Sequence, residues 1–285
     1  MSFSSQIKEK LCKTEYSCGG CALYETAGAL MFGGIAEEGN VRFSTENRAV
    51  AGRIKDDISS SFGIDLNIIQ GTRTYRIETT DTYQTENICG GILPGGSIPF
   101  SCCRASFVRG AFLGGGSVTD PQKGYHLEFD TKNKKCAEYL KEILAHDNFD
   151  ARITNRKGYH VLYIKDSERI ADLLGYMGAP QGAFELFSIQ IEKEMRNNIN
   201  RRVNCENANT NKAAKASSKH LFAIKQIKAA KKWDKLPGVL KEIGELREEY
   251  PEDSLKELGE KVNPPIGKSG VNHRLNRILD IAENL

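Results

Sequence analysis

Apolar positions along the chain first alternate between helical and strand spacing and then become helical throughout. Residues 4–13 recur at helical spacing, and residues 22–32 predict a helix running up to Gly33-Gly34, a glycine pair of the kind that stops helices. Residues 41–44 alternate as a strand and residues 47–60 form an amphipathic helical pattern. Residues 66–69 and 75–79 predict a strand pair around Gly71-Thr72. The order then returns. Residues 103–113 predict a helix ending in three glycines, residues 125–129 alternate, and residues 134–145 place Ala137, Leu140, Ile143 and Leu144 on one helical side. A hairpin of residues 151–154 and 160–164, turned through Asn155-Arg156-Lys157-Gly158, precedes a helix over 168–175.

Two stretches carry this repetition, TAGALMFGG at 26–34 and VRGAFLGGG at 108–116, 82 residues apart. The first 180 residues therefore read as a duplicated α/β unit. Residues 186–202 are helical by pattern, and residues 204–218 (NCENANTNKAAKASS) are polar, small and rich in asparagine, which suggests a linker or a polar recognition arm. Beyond them residues 221–233, 237–249, 254–262 and 268–283 predict helices, the last two separated by Asn263-Pro264-Pro265-Ile266-Gly267, which no helix crosses. The fold class is α+β, with boundaries at 1–95 and 96–203 for the two halves, 204–218 for the linker, and 219–285 for a helical domain.

Within that helical domain, Leu255, Leu258 and Val262 share one helical face, and Val271, Leu275, Ile278 and Ile281 do the same beyond the prolines. Two short helices joined by a tight loop bury such faces against each other, as in a helix-turn-helix over 254–285, and Gly259 would permit a close approach. With the apolar residues turned inward, the last helix presents Lys268, Ser269, Asn272, His273, Asn276 and Arg277 outward, toward the end that enters a major groove. Arg274 lies at the border, within reach of a phosphate. Asp280 is the one acid between 263 and 282. His273 has no Ser or Cys nucleophile nearby in sequence with a matching acid, so it reads as a polar contact, and no residue reads as catalytic.

Composition changes this picture in three places. A chain of 285 residues, 39% hydrophobic and 27% charged, can form two or three modest globular units, and no run has the form of a signal peptide or a membrane span. A cytoplasmic, nucleoid-associated location without membrane contact is expected. Net charge is only +3, yet residues 184–233 hold eleven Lys and Arg against four Asp and Glu, and this excess points to a polyanion. Arg196, Arg201, Arg202, Lys212, Lys215 and Lys219 are the candidate phosphate contacts. Eight cysteines without regular spacing read as reduced thiols. Cys18-Gly19-Gly20-Cys21 is the one CxxC, and Cys12, Cys89, Cys102 or Cys103 would complete a zinc site only if the fold joined them. The expectation is separate thiols, no metal and no cofactor.

The paired glycine-rich stretches resemble the signature helices of LAGLIDADG homing endonucleases, with Gly28 beside Ala27 and Ala29, and Gly110 near Ala111 and Gly114. In those enzymes an acid at the next-to-last signature position holds the metals that cleave DNA. Here that position is Gly33 in one stretch and Gly115 in the other, and the nearest acids, Glu37, Glu38 and Asp120, lie beyond the helix ends. The acid-less pair, MRNNINRRVNCENANTNK at 195–212 and SLKELGEKVNPPIGKSGVNHRL at 254–275 together resemble the WhiA family of sporulation and cell-division regulators. The resemblance implies a regulator that binds double-stranded DNA without cutting it, acting in transcription, cell division or chromosome segregation. Ser254, which opens the second motif, joins the candidate DNA-contacting residues. The rival readings are an active nuclease and a platform for another transcription factor or a division protein. The sequence ends at Leu285, soon after the last helix, so tail-borne interactions are not expected.

Overall fold

Among the described residues the N-terminal region is built from α1 (Phe3–Leu11), α2 (Cys21–Gly33), β1 (Gly34–Glu37), β2 (Asn40–Thr45), α3 (Arg48–Phe62), β3 (Ile68–Gln70), β4 (Tyr75–Thr79), α4 (Thr82–Ile92), α5 (Ser101–Gly115), β5 (Gly116–Val118), β6 (Leu127–Thr131), α6 (Lys134–His146), β7 (Arg152–Arg156), β8 (Tyr159–Ile164) and α7 (Ser167–Met177). There follow α8 (Pro180–Ala229), a 3-10 turn (Trp233–Lys235), α9 (Gly238–Glu249), α10 (Leu255–Lys261) and α11 (Lys268–Glu283). This computed structural model describes residues 2–37, 39–92 and 97–285. Glu38 and the proposed boundary between the halves at 95/96 lie outside the described residues.

The duplication extends to individual hydrogen bonds. Each half has a four-stranded antiparallel sheet, ordered β1-β2-β4-β3 in the first and β5-β6-β8-β7 in the second. After the second strand of each sheet, a Thr hydroxyl accepts from the Asn backbone two residues on, Thr45 from Asn47 and Thr131 from Asn133, both at 3.2 Å. The Asn side chain then caps the next helix: Asn47 Oδ1 accepts from Ala49 N at 2.9 Å and Asn133 Oδ1 from Lys135 N at 3.0 Å. Alternation along β6 puts Leu127 and Phe129 in the core and leaves Glu128 and Asp130 on the outer face.

Helices α2 and α5 pack against each other at the centre of this region. A methyl group built on Gly28 would lie 2.1 Å from the Phe107 carbonyl oxygen, and one on Gly110 would lie 1.9 Å from that of Glu25. Only hydrogen at these positions lets the two backbones come so near. The glycines after the helices act differently from the expected helix stop. Gly34 and Gly116 adopt extended backbone (φ −129° and −87°) and lead straight into β1 and β5. These two short strands, and α4, carry too little pattern to be read from sequence.

By internal contacts the chain divides into Met1–Lys193 and Glu194–Leu285, a division that falls inside α8. Residues 204–218 are therefore not a linker; they are part of that helix. Their asparagines give no apolar period, but the stretch has four alanines, two lysines and neither Gly nor Pro, so nothing interrupts helical hydrogen bonding. The second unit has its own core, in which Ile224, Leu240, Ile243, Leu258, Val271 and Leu275 are fully or almost fully buried. Among the described residues no helix is long and apolar enough to cross a membrane.

Candidate nucleic-acid interface

The helix-turn-helix geometry starts with how α10 and α11 are held. Ser254 caps α10: its hydroxyl accepts from Glu257 N at 3.3 Å, while the Glu257 carboxylate accepts from Ser254 N at 2.7 Å. A hydroxyl engaged in this way has a structural task at the start of α10, and Ser254 remains exposed there. At the turn, Ile266 N donates to Gly259 O at 3.0 Å, and a methyl on Gly259 would lie 2.2 Å from the Ile266 carbonyl oxygen. Gly259 thus admits the loop as well as Val271 of the second helix, whose Cγ2 would lie 3.1 Å away.

Helix α11 then sorts its residues by face. Val271, Leu275 and Ile278 are buried, whereas Lys268, Ser269, Asn272, His273, Asn276 and Arg277 are all exposed. Arg274 is drawn inward: half-buried, it stands 3.8 Å from the Glu242 carboxylate of α9, which also accepts from Asn263 N at 3.0 Å. Its guanidinium thus lies toward the turn, beyond hydrogen-bond reach of that carboxylate.

Of the basic candidates, all six lie exposed on α8. Arg201, Lys212, Lys215 and Lys219 are spaced by 11, 3 and 4 residues and so share one side of the helix. Arg196 and Arg202 fall on other sides, and Arg202 pairs with Glu206 at 3.1 Å. The proposed basic face therefore resolves into a stripe of four.

A buried polar group lies beneath this surface that no sequence motif marks. Arg247 of α9 is 3% exposed and donates through Nη1 to the carbonyl oxygens of Asp253 (2.7 Å), Pro251 (3.2 Å) and Tyr250 (3.4 Å), tying down the segment that leads into α10. Ser217 Oγ donates to the same Pro251 oxygen at 2.6 Å. His220 is buried nearby on α8, and burial first, then the charge of Arg247, push its pKa down to about 4. Arg247 sits four residues after Ile243 on the buried side of α9, a position from which periodicity alone could have placed it in the core.

In the first unit, the signature positions sit where no side chain fits. A methyl on Gly33 would lie 2.6 Å from Gly114 Cα, and one on Gly115 would lie 2.4 Å from Asp130 O and 2.7 Å from Phe32 O. Glu37 lies in β1 and Asp120 in the loop after β5, where its carboxylate accepts from Gln122 N at 2.9 Å. The charged pair that does join α2 to α5 is Glu25 with Arg109. Glu25 accepts from Arg109 Nε at 2.6 Å and from Arg53 Nε at 2.9 Å, and Arg109 also donates to Met177 O at 3.0 Å and Ser106 Oγ at 3.1 Å. The expectation of separate thiols is corrected too: the Sγ atoms of Cys18, Cys21, Cys102 and Cys103 all lie within 4.8 Å of one another, without Cys12 or Cys89.

Comparison with known proteins follows this division. A profile described as the WhiA LAGLIDADG-like domain matches residues 104–196, and one described as the WhiA C-terminal HTH domain matches 199–282. The chain is 39% identical to a protein of Ruminiclostridium cellulolyticum named probable cell division protein WhiA, over 100% of this chain and 98% of that one. It is 36% identical to its counterpart in Alkaliphilus metalliredigens, over 99% and 98%. The crystal structure of full-length WhiA from Thermatoga maritima superposes with a TM-score of 0.64 at 26% identity, covering 100% of this chain and 99% of that one. Similar over its whole length to these proteins, the chain belongs to the WhiA family, with a LAGLIDADG-like N-terminal domain and a C-terminal helix-turn-helix domain.

Proposed function

We propose that this chain is a regulator of transcription that binds specific sites in double-stranded DNA and does not cleave them. Relatives named as cell division proteins support a role in division and chromosome segregation, and in sporulation where the cell makes spores. The observation that carries the reading is the outer face of α11, with six exposed donors and acceptors and no acid before Asp280, held on an independently packed core. The stripe of Arg201, Lys212, Lys215 and Lys219 supplies phosphate contacts that fix position without reading sequence. Absence of cleavage rests on Gly33 and Gly115, because two-metal hydrolysis needs carboxylates there and the packing leaves no room for one.

A second reading concerns the N-terminal sheets. Their outer faces carry arginines already near carboxylates, Arg76 at 3.4 Å from Glu78 and Arg156 at 3.3 Å from Glu128. Such mixed charge suits a protein partner, another transcription factor or a division protein, better than a phosphate backbone.

The test is titration of the full chain against genomic fragments recovered with it from the cell. Arg277→Ala or Asn272→Ala weakens specific binding by about 1–3 kcal/mol and leaves nonspecific binding unchanged. Replacing the four stripe residues by Ala weakens all sequences alike and lowers the salt slope by about one for each phosphate no longer neutralised. Unchanged affinity in both sets, or magnesium-dependent fragments at a fixed site, would sink the proposal.

A further inference from the structure

We propose that Cys18, Cys21, Cys102 and Cys103 hold one zinc ion, which ties together the starts of the two signature helices. Cys21 is the first residue of α2, and Cys102 and Cys103 are the second and third of α5. The two halves thus bring their cysteines together as a consequence of packing α2 on α5 side by side. Cys18 Sγ lies 3.4 Å from Cys103 Sγ, 3.5 Å from Cys21 Sγ and 3.6 Å from Cys102 Sγ, and all four sulfurs fit within 4.8 Å.

These separations discriminate among the things four cysteines can do. A disulfide needs its sulfurs about 2.05 Å apart, and all four thiols are free. A tetrahedral ion with sulfurs at about 2.3 Å sets them about 3.8 Å from each other, close to the 3.4–3.6 Å separations from Cys18 and within the 4.8 Å that spans all four. An iron–sulfur cluster of several irons spreads its thiolates more widely than one ion does. Tetrahedral sulfur coordination without an open position is the structural arrangement of zinc. Cys21, Cys102 and Cys103 occupy helix N-terminal turns, whose dipoles favour thiolate over thiol, and Cys18 lies three residues before α2.

The site is not a remnant of nuclease chemistry. It lies at the opposite end of α2 from Gly33, about 18 Å along the helix at 1.5 Å per residue, and its sulfur donors suit a soft ion instead of magnesium. Its role is a staple: it links residues 85 apart in sequence, and folding and metal binding become coupled.

The experiment is metal analysis and X-ray absorption on the full chain purified under reducing conditions. The expected result is one zinc per chain with four sulfurs at about 2.3 Å, lost in a Cys18→Ser/Cys102→Ser variant and kept in Cys205→Ser. Cobalt exchanged into the wild-type protein should show the visible bands of a tetrahedral tetrathiolate, and chelation should lower the thermal midpoint by several degrees. Because absorption is measured on the wild type, a variant that fails to fold does not blur the answer. Zinc well below one per chain, iron in its place, nitrogen or oxygen in the first coordination sphere, or disulfides among these four cysteines in freshly isolated protein would each overturn the proposal.

Discussion

Helices α2 and α5 of the first unit and α10 and α11 of the second are both pairs brought close by glycine, yet they distribute their side chains in opposite ways. Along α2 and α5 most positions are buried, and a charged pair between them, Glu25 with Arg109, faces inward. Along α11 only the apolar row is buried, and the polar row faces out. The first arrangement holds a fold together and presents no continuous polar face; the second stabilises a small core and keeps a free surface. In the LAGLIDADG-like domain, close packing of the helices rests also on residues other than those at the signature positions. Gly28 and Gly110 preserve the helix contact whether or not an acid stands at the helix end.

The contrast predicts where mutations are costly. Arg109→Ala leaves the Glu25 carboxylate buried with only Arg53 beside it, and removal of one partner from a buried ion pair costs about 3–5 kcal/mol. Arg277→Ala, on the exposed row, should leave stability within about 0.5 kcal/mol of wild type. Denaturant unfolding distinguishes them, with Trp233, the single tryptophan, reporting the second unit and the tyrosine near-ultraviolet signal dominated by the first. Equal losses for both variants would erase the distinction between the two helix pairs.

A smaller effect sharpens the same point. Gly115→Asp restores an acid at the position where the LAGLIDADG resemblance calls for one, but its Cβ would lie 2.4 Å from Asp130 O, a backbone atom that cannot rotate away. Overpacking of this kind costs about 1–3 kcal/mol. The variant should unfold at lower urea and produce no magnesium-dependent DNA fragments. Cleavage by it would mean that the helix end is more yielding than its packing suggests.

How far each region can be read from sequence follows from the same difference. The outward row of α11 is legible because a 3.6-residue period separates it from Val271, Leu275 and Ile278. The repeat is legible because Gly28 and Gly110 recur in similar surroundings. Residues 204–218 read as a linker because a solvated helix has no apolar period to show. That Ser254 caps α10 and that Arg274 lies toward Glu242 are features that residue type alone does not give. The Arg247 anchor and the cysteine cluster depend on partners brought from elsewhere in the chain: Arg247 meets carbonyls in the following loop, and the cysteines come from two halves whose packing no local pattern specifies.

The two units also carry buried titratable groups of opposite sign, so their stabilities depend on pH in opposite ways. In the second unit His220 has its pKa pushed down to about 4, so the folded state refuses a proton that the unfolded chain accepts below about 6.5. Its contribution to stability is present above that value and is lost as pH falls toward 4. In the first unit Asp57 accepts from Tyr16 and stands 3.7 Å from Arg53, but burial, and then the neighbouring Glu25, push its pKa up to about 7. The folded state therefore favours the protonated acid, and that contribution is full below about 3.8 and is lost as pH rises through about 7. As pH rises from 5 to 8 the units should shift in opposite directions, the tyrosine-reported transition weakening and the Trp233 transition strengthening. The His220 part amounts to less than about 1 kcal/mol between pH 7 and 6. His220→Asn should flatten the second trend alone and Asp57→Asn the first alone. Parallel shifts in both signals would show that one shared titration governs them and that the two polar interiors are not independent.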